Sequence, residues 1–390
     1  MYKLLIFILY CSTLSVYAAD ANYNKDTGIL DIPAVKIFSE GKLVGVYRAE
    51  MQRREENLLG SVAFKVEKLQ RIDTGSFFLK RVRDKGRLSC GGRTDLPGFA
   101  YICPNGRNCG FDIALCKAVS AAVLNSPKGS ITFVPVTTSD REKVLREKTI
   151  DILSRNSSWT SSRDIEWGNF TWIMYYDGQG FMVKADSGIK TITDLDGKRI
   201  CIEKDTTSYT NLVDESTLLG LDFIKVLASG SAIMTRYLND ECDAMSSDKS
   251  GLAARRASLD DFENHIILDI SISKEPLTPV VPSGDEQWLD IVKIVLFGLV
   301  NAEELGVTQA NVDSMASSSN RKIKRLLGVE GDFGQKQLGL EKDAIANVIR
   351  AVGNYGEIYE RYLGKDGINI DRGPNRLTRD GGQIYVPPMR

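Results

Sequence analysis

Apolar and polar residues alternate along residues 28–37 (GILDIPAVKI), 43–51 (LVGVYRAEM) and 61–69 (SVAFKVEKL). A period of two predicts strands with one covered face, here those of a small antiparallel sheet. This segment, residues 20–75, is too short to bury much by itself and is expected to dock on the main body. From residue 77 the pattern changes to alternating strand-like and helix-like runs. LSCGGR (88–93), ITFVPV (131–136) and TIDILS (149–154) read as strands. FDIALCKAVSAAVL (111–124) carries one apolar stripe at helical spacing, and SDREKVLREK (139–148) opens on a Ser/Asp cap. A second set repeats the scheme: the strand RICIEK (199–204), a helix opening at TTSYTNLVDES (206–216), the strand FIKVLA (223–228), the helix SAIMTRYLND (231–240) and the strand CDAMSS (242–247). Such alternation predicts an α/β fold built as two copies of one plan, with ligands at strand C-termini. IILDISISK (266–274) reads as a return crossover, the segments after it as helical, and the tail 368–390 as a surface strap with little periodicity.

At 390 residues the chain has room for two domains or lobes. A net charge of −1 gives no reason to expect nucleic acid or an acidic membrane as partner. Charged blocks such as MQRREE (51–56) and RKIKR (321–325) read as solvated faces. At the N-terminus, Lys3, the apolar residues 4–10 and the small residues around Ala18 and Ala19 read as a secretory signal over residues 1–19. Cys11 opens a lipoprotein reading, for which Tyr10 is a poor preceding residue. KIVLFGLV (293–300) is too short to span a membrane and reads as a buried helix. Loss of the signal leaves six cysteines, an even number that favours disulfides in an exported chain. The expected pairs are Cys90–Cys116, Cys103–Cys109 around the turn-rich PNGRN, and Cys201–Cys242. With no Cys-x-x-Cys and with His265 the only histidine, no metal site is expected. His265 itself reads as an ordinary surface or hinge residue.

The densest chemistry lies in DILSRNSSWTSSR (151–163). Asn156, Ser157 and Ser158 follow an apolar strand directly, and Arg163 stands five residues past Ser158. Small hydrogen-bonding groups at a rigid strand end, with a guanidinium close by, make an anion receptor able to grip a carboxylate bidentately. Taken singly, Arg163 is a surface or salt-bridge arginine, Asp248 a helix N-cap, and Thr206 and Thr207 a helix cap. Gly178 and Gly180 in YDGQGF read as freedom at a bend, because no phosphate-binding glycine motif is present.

The order of FDIALCKAV, DILSRNSSWTSSR, YYDGQGFMV, ICIEKDTTSY, CDAMSSDKSGL, ISKEPLTPVV, DEQWLDIVK and NAEELG resembles the amino-acid-binding members of family 3 of the extracytoplasmic solute-binding proteins, the receptors of ABC importers. Within that family it is most similar to the general L-amino-acid-binding branch, from residue 88 to residue 327. The resemblance implies a type II periplasmic-binding-protein-like fold: two α/β lobes joined by two crossover strands and closing by hinge motion, here with a small N-terminal β-rich extension. The expected division is a signal peptide (1–19), the extension (20–75), lobe 1 (76–183), lobe 2 (184–272), the return part of lobe 1 (273–367) and the strap (368–390).

Residue by residue, the resemblance implies that Arg163 holds a ligand α-carboxylate with help from Asn156 and Ser158. Thr206 and Thr207 would add a hydroxyl and a helix N-terminal N–H, and Asp248 would pair with the α-ammonium. A zwitterion enclosed in a cleft needs both charges paired, or its desolvation outweighs the gain. Phe99 and Trp159 are candidates for an aromatic wall, though each reads equally well as core. Leu96 stands where many relatives carry a stacking aromatic. Asp205 replaces the family's usual glycine; if that position needs positive φ, Asp tolerates it better than most residues.

The implied function is capture of free L-amino acids in the periplasm and delivery to an ABC permease in the inner membrane, without catalysis, cofactor or metal. Two alternatives stand beside it. One is an enzyme on the same fold, cyclohexadienyl-dehydratase-like; the other is an envelope sensor or assembly module that contacts a partner through residues 20–75.

Overall fold

Strands Ile29–Ser39, Lys42–Arg53 and Phe64–Arg71 form the centre and one edge of an antiparallel sheet, completed by Leu14–Ala19 and Asn22–Asn24 on the other side of Ile29–Ser39. The computed structural model describes residues 14–19, 22–24, 27, 29–39, 42–53, 64–71 and 75–390. In the sheet, Leu30 faces Met51 and Ile32 faces Ala49, and all four are buried, so the alternation does mark one covered face. The register shifts between Ile32 and Val35, where Pro33 has no N–H to give the ladder. The first thirteen positions of the expected signal lie outside the described residues. Leu14–Ala19 pairs along its length with residues 34–39. Met51, read as part of a solvated block, is buried; residues 54–56 of that block lie outside the described residues.

The chain divides into two units between Gly75 and Ser76. Within the second unit, two five-stranded sheets carry the two halves seen in the sequence. The first has the order Ile131–Pro135, Leu88–Gly92, Ile152–Leu153, Val280–Val281, Asn169–Phe170, with its first three strands parallel. The second has the order Ile224–Leu227, Arg199–Ile202, Ala244–Asp248, Gln179–Lys184, His265–Ile267. Here too the first three strands are parallel, and Gln179–Lys184 enters antiparallel. Parallel strands need crossover helices, which is why helical and strand periods alternate in the sequence. Helices Phe111–Val123, Glu286–Glu304, Ala344–Val352 and Tyr355–Tyr362 pack on the first sheet around Trp288, Phe111 and Tyr355. The run KIVLFGLV is part of Glu286–Glu304, a helix buried in this core, and among the described residues no helix is long and apolar enough to cross a membrane.

Two strands join the lobes, Tyr175–Asp177 and Glu275–Leu277, paired antiparallel. This corrects two sequence boundaries. Gln179–Lys184 belongs to the second lobe's sheet, so the first lobe ends at the hinge strand, short of residue 183. The return crossover is Glu275–Leu277, whereas His265–Ile267 is an edge strand of the second lobe. Gly178 divides the hinge strand from the lobe-two strand: a Cβ there would lie 2.1 Å from Ser271 Oγ and 3.0 Å from Ser273 O. Its role is therefore close approach of the two crossovers.

The cysteines join as Cys90–Cys116, Cys103–Cys109 and Cys201–Cys242, with Cα separations of 6.0, 5.8 and 5.6 Å. The tail beyond residue 368 buries Leu377, Ile384 and Val386 in the first lobe's core. Asn375 clips it to the hinge, accepting from Tyr176 N at 2.7 Å and donating to Tyr176 O at 3.1 Å. His265 is buried, contrary to its surface reading, with Nδ1 3.0 Å from the Tyr237 hydroxyl.

Candidate functional site

The run after strand Ile152–Leu153 turns sharply because Asn156 adopts a positive φ of 29°. Its N–H donates to Asp112 Oδ2 at 3.2 Å, while its buried side-chain Oδ1 has no partner among the described residues. Ser158 then bridges to Leu277 of the return crossover, and Thr160 caps the short helix Ser161–Glu166 by accepting from Arg163 N. The cap aims Arg163 inward. Its guanidinium lies 4.5 Å over the Trp167 ring, donates to Ser158 O at 3.1 Å, and makes no ion pair among the described residues. Burial lowers its pKa, opposed by the nearby carboxylates of Glu275 and Asp248.

The second lobe contributes the turn after Arg199–Ile202. Asp205 sits at φ 61°, a left-handed conformation that Asp tolerates better than most residues. Thr206 is the N-cap of helix Thr207–Leu219: its hydroxyl accepts from Tyr209 N and donates to Glu203 O at 2.6 Å. That side chain is committed to the turn. Thr207 faces the junction, donating to Glu275 Oε2 at 2.9 Å, with its Oγ1 3.3 Å from Ser158 Oγ of the other lobe.

Asp248 closes strand Ala244–Asp248 and is buried, yet makes no capping bond to the helix Lys249–Arg256 that follows. Burial raises its pKa well above the carboxylate range, reinforced by Asp177 and Glu275 and opposed by Arg163 and Arg255. Asp177, raised to about 6 chiefly by burial, completes a group of three carboxyls at the hinge, of which Asp248 and Glu275 are buried and Asp177 half-buried. Arg163 of one lobe and Asp248 of the other thus lie near enough to bear on each other's ionisation.

The cleft also holds a cavity of about 470 Å³, lined by Gly92–Asp95, residues 135–139, Arg155, residues 203–205 and residues 229–231. Arg163 and Asp248 are not in its lining. Arg255 connects the two regions, feeling the charges of Arg93, Asp95 and Glu203 as well as Asp248. Across the cavity mouth Thr138 Oγ1 donates to Glu203 Oε1 at 2.6 Å, and Arg141 Nη2 donates to Asp205 O at 3.1 Å. The lobes are therefore in contact.

Two of the expected positions are corrected. Phe99 is no aromatic wall: it is fully buried, with its ring 5.5 Å from Tyr175 and 6.3 Å from Phe111, edge-on to both. Trp159 stacks on Phe170 at 5.8 Å in a satellite core with Val136 and Leu145. Leu96 is likewise buried in the main core. Arg93, Asp95, Thr138, Arg155, Glu203 and Glu275 were missed by sequence reasoning. Arg155 stands inside the very run that drew attention to Asn156 and Ser158, so its position was the available signal. No cluster able to hold a metal occurs among the described residues.

Two α/β lobes, two crossover strands and a cleft carrying buried charges of both signs define a hinged binding protein of the type II periplasmic class. The model of the bacterial extracellular solute-binding proteins, family 3, matches residues 88–365, and the chain belongs to that family. The general L-amino acid-binding periplasmic protein AapJ of Rhizobium johnstonii is 44% identical over 80% of this chain and 92% of its own length. The glutamate/glutamine/aspartate/asparagine-binding protein BztA of Rhodobacter capsulatus is 43% identical over 80% of this chain and 93% of its own. Among solved structures, an ABC transporter/periplasmic binding protein from Brucella ovis with glutathione bound is 40% identical, with a TM-score of 0.77 over 80% of this chain and 99% of that one.

Proposed function

We propose that this chain is a non-catalytic periplasmic receptor that captures L-amino acids between its lobes and presents them to an ABC permease, having lost residues 1–19 as a secretory signal. The observation that carries the reading is the meeting of Arg163 and Asp248 from opposite lobes, both buried and neither ion-paired to a described residue. An α-carboxylate and an α-ammonium supply the two missing charges at once, and the ligand then bridges the lobes. Ser158 and Thr207 add hydroxyls where the lobes touch. The names of the relatives agree with this reading, since they are amino-acid-binding proteins.

The neighbouring carboxyl groups of Asp177 and Asp248 are the feature an enzymatic reading would use, because catalysis needs titratable groups with perturbed pKa values and both are raised by burial. Charge balance offers an account without chemistry: a ligand ammonium offsets one carboxylate of the group, and burial favours the protonated forms of Asp177 and Asp248. Calorimetric titration with the twenty amino acids tests both readings. Micromolar binding corresponds to about 8 kcal/mol. Substituting Arg163→Ala is expected to remove roughly 2–5 kcal/mol of it by stranding the carboxylate. Unchanged amino-acid binding by that variant contradicts the receptor site, and consumption of a titrated ligand contradicts the non-catalytic reading.

A further inference from the structure

A second cavity, of about 670 Å³, lies where the hinge strands meet the C-terminal strap. No residue lines both cavities, and neither Arg163 nor Asp248 lines this one. The second lobe contributes Lys249, Ser250 and Ala253, and the strap contributes Ile370, Pro374 and Gln383. The strap itself is anchored in the first lobe's core through Leu377, Ile384 and Val386. A change in the angle between the lobes therefore changes the shape of this cavity. Its apolar wall is built by Tyr176, Ala253, Ile267, Pro276, Ile370 and Pro374.

The Asp177 carboxyl, half-buried, stands among them. It accepts from the backbone N–H of Gly178 at 2.8 Å and of Ser250 at 3.2 Å, and the Ser250 side chain also favours its ionised form. The cations of the lining are directed elsewhere. Lys249 lies 3.8 Å from Asp269, Arg372 is held by both oxygens of Glu303 at 2.6 and 3.2 Å, and Lys274 is exposed. Of the other anions, Asp371 is exposed and holds Arg376, and Glu275 accepts from Asn211, Ser273 and Thr207. Asp177 is the enclosed anion that meets no side-chain nitrogen of a described residue. A carboxylate so placed is satisfied best by a cation that brings its own apolar body, since one end replaces lost hydration and the other covers the walls.

We propose that this cavity is a second ligand site, taking a small primary amine with an apolar body, its ammonium on Asp177, and that a bound amine tightens amino-acid binding between the lobes. The route from one site to the other is short. Gln179, two residues past Asp177, pairs with Asp248, and the next two N–H groups, of Lys249 and Ser250, donate to Gly178 O and Asp177. Among neighbouring charges, Asp177 opposes the ionisation of Asp248 most strongly. An ammonium on Asp177 cancels that repulsion and leaves Asp248 charged for the ligand. The site stands apart from the amino-acid-receptor reading, whereas the coupling rests on it.

Titration calorimetry of the full chain with phenethylamine tests the site, with 2-phenylethanol as its uncharged analogue. The unaltered protein is expected to bind the amine about tenfold or more tightly than the alcohol, because only the amine pairs with a carboxylate. Asp177→Asn is expected to bring that ratio to about unity. Ala253→Phe, which fills the cavity from the second lobe, is expected to weaken the amine about tenfold or more while L-glutamate binds as to the parent. At saturating phenethylamine, L-glutamate is expected to bind about fivefold or more tightly, and saturating L-glutamate is expected to tighten the amine by the same factor. Absence of amine binding, or equal binding of the alcohol by the unaltered protein, overturns the site even if neither variant folds. Displacement of the amine by L-glutamate overturns it too, because the amine then occupies the amino-acid cleft. An L-glutamate affinity that saturating amine leaves unchanged overturns the coupling. If L-glutamate fails to bind the unaltered protein at all, the receptor reading has failed, and the amine titration still decides the site.

Discussion

Among the charges that bear on the buried Asp248 carboxyl, Arg163 of the opposite lobe is the strongest that favours its ionisation. Asp177 and Glu275 work against it more strongly, after burial itself. The site is therefore assembled but electrostatically incomplete, short of a positive group beside Asp248 and of an anion on Arg163. Incomplete charge sites of this kind hold ligands tightly because desolvation has already been met during folding.

Asp248→Asn separates stability from binding. The amide relieves repulsion among three carboxyl groups, so the ligand-free protein is expected to be as stable as the parent or about 1 kcal/mol more so. Amino-acid affinity is expected to fall by about 2–5 kcal/mol as the ammonium loses its counterion. Thermal unfolding and calorimetry on the same sample check both halves. A variant that loses stability and keeps its affinity contradicts the role given to Asp248.

Binding should release protons. Folded-state pKa values of Asp177 and Asp112 are raised to about 6, mainly by burial, and burial also raises that of Asp248 well above its ordinary value. A raised carboxyl binds more protons folded than unfolded, so the ligand-free protein loses stability as pH climbs from about 4 to about 6. A ligand ammonium favours the ionised cluster, drives protons off, and binds less well as pH falls through that window. Titrations in buffers of different ionisation enthalpy measure the release. Identical heats in all buffers near pH 6 contradict this linkage.

Cys201–Cys242 ties strand Arg199–Ile202 of lobe 2 to the approach to its neighbour, the central strand Ala244–Asp248, closing a loop with a sequence separation of 41. Replacing both cysteines by alanine should lower stability by about 2–4 kcal/mol, read by urea denaturation. An unchanged midpoint speaks against the bridge in solution.

The strap is held to the hinge by the two Asn375 bonds to Tyr176. Asn375→Ala leaves a buried N–H and C=O without partners and should cost roughly 1–3 kcal/mol in the same experiment. No loss would mean that the tail does not brace the hinge strand.

How much of this was legible in the sequence depended on whether local pattern or tertiary packing decides a residue's place. Thr206 was readable as a helix cap because capping is local; that Asp205 takes a left-handed conformation was open in the sequence, where only the family's usual glycine hinted at it. The run at 151–163 announced Arg163 because a strand end followed by a capped turn fixes where the guanidinium points. Phe99 was not readable: an aromatic two residues past Pro97 can face either side of its loop, and Phe111 and Tyr175, distant in sequence, settle it. The lobe boundary failed because YYDGQGFMV keeps one period across Gly178, whereas the break is made by Ser271 and Ser273 pressing on that glycine. Arg155 and Glu203 were passed over since each is an unremarkable charge until Thr138 brings them to one cavity.

A crystal structure of the protein with L-glutamate bound tests the central claim most directly. The account predicts the α-carboxylate within hydrogen-bond distance of the Arg163 guanidinium and the α-ammonium within hydrogen-bond distance of Asp248, with both lobes touching the ligand. Glutamate bound to one lobe only, or bound with Arg163 and Asp248 both untouched, would contradict it.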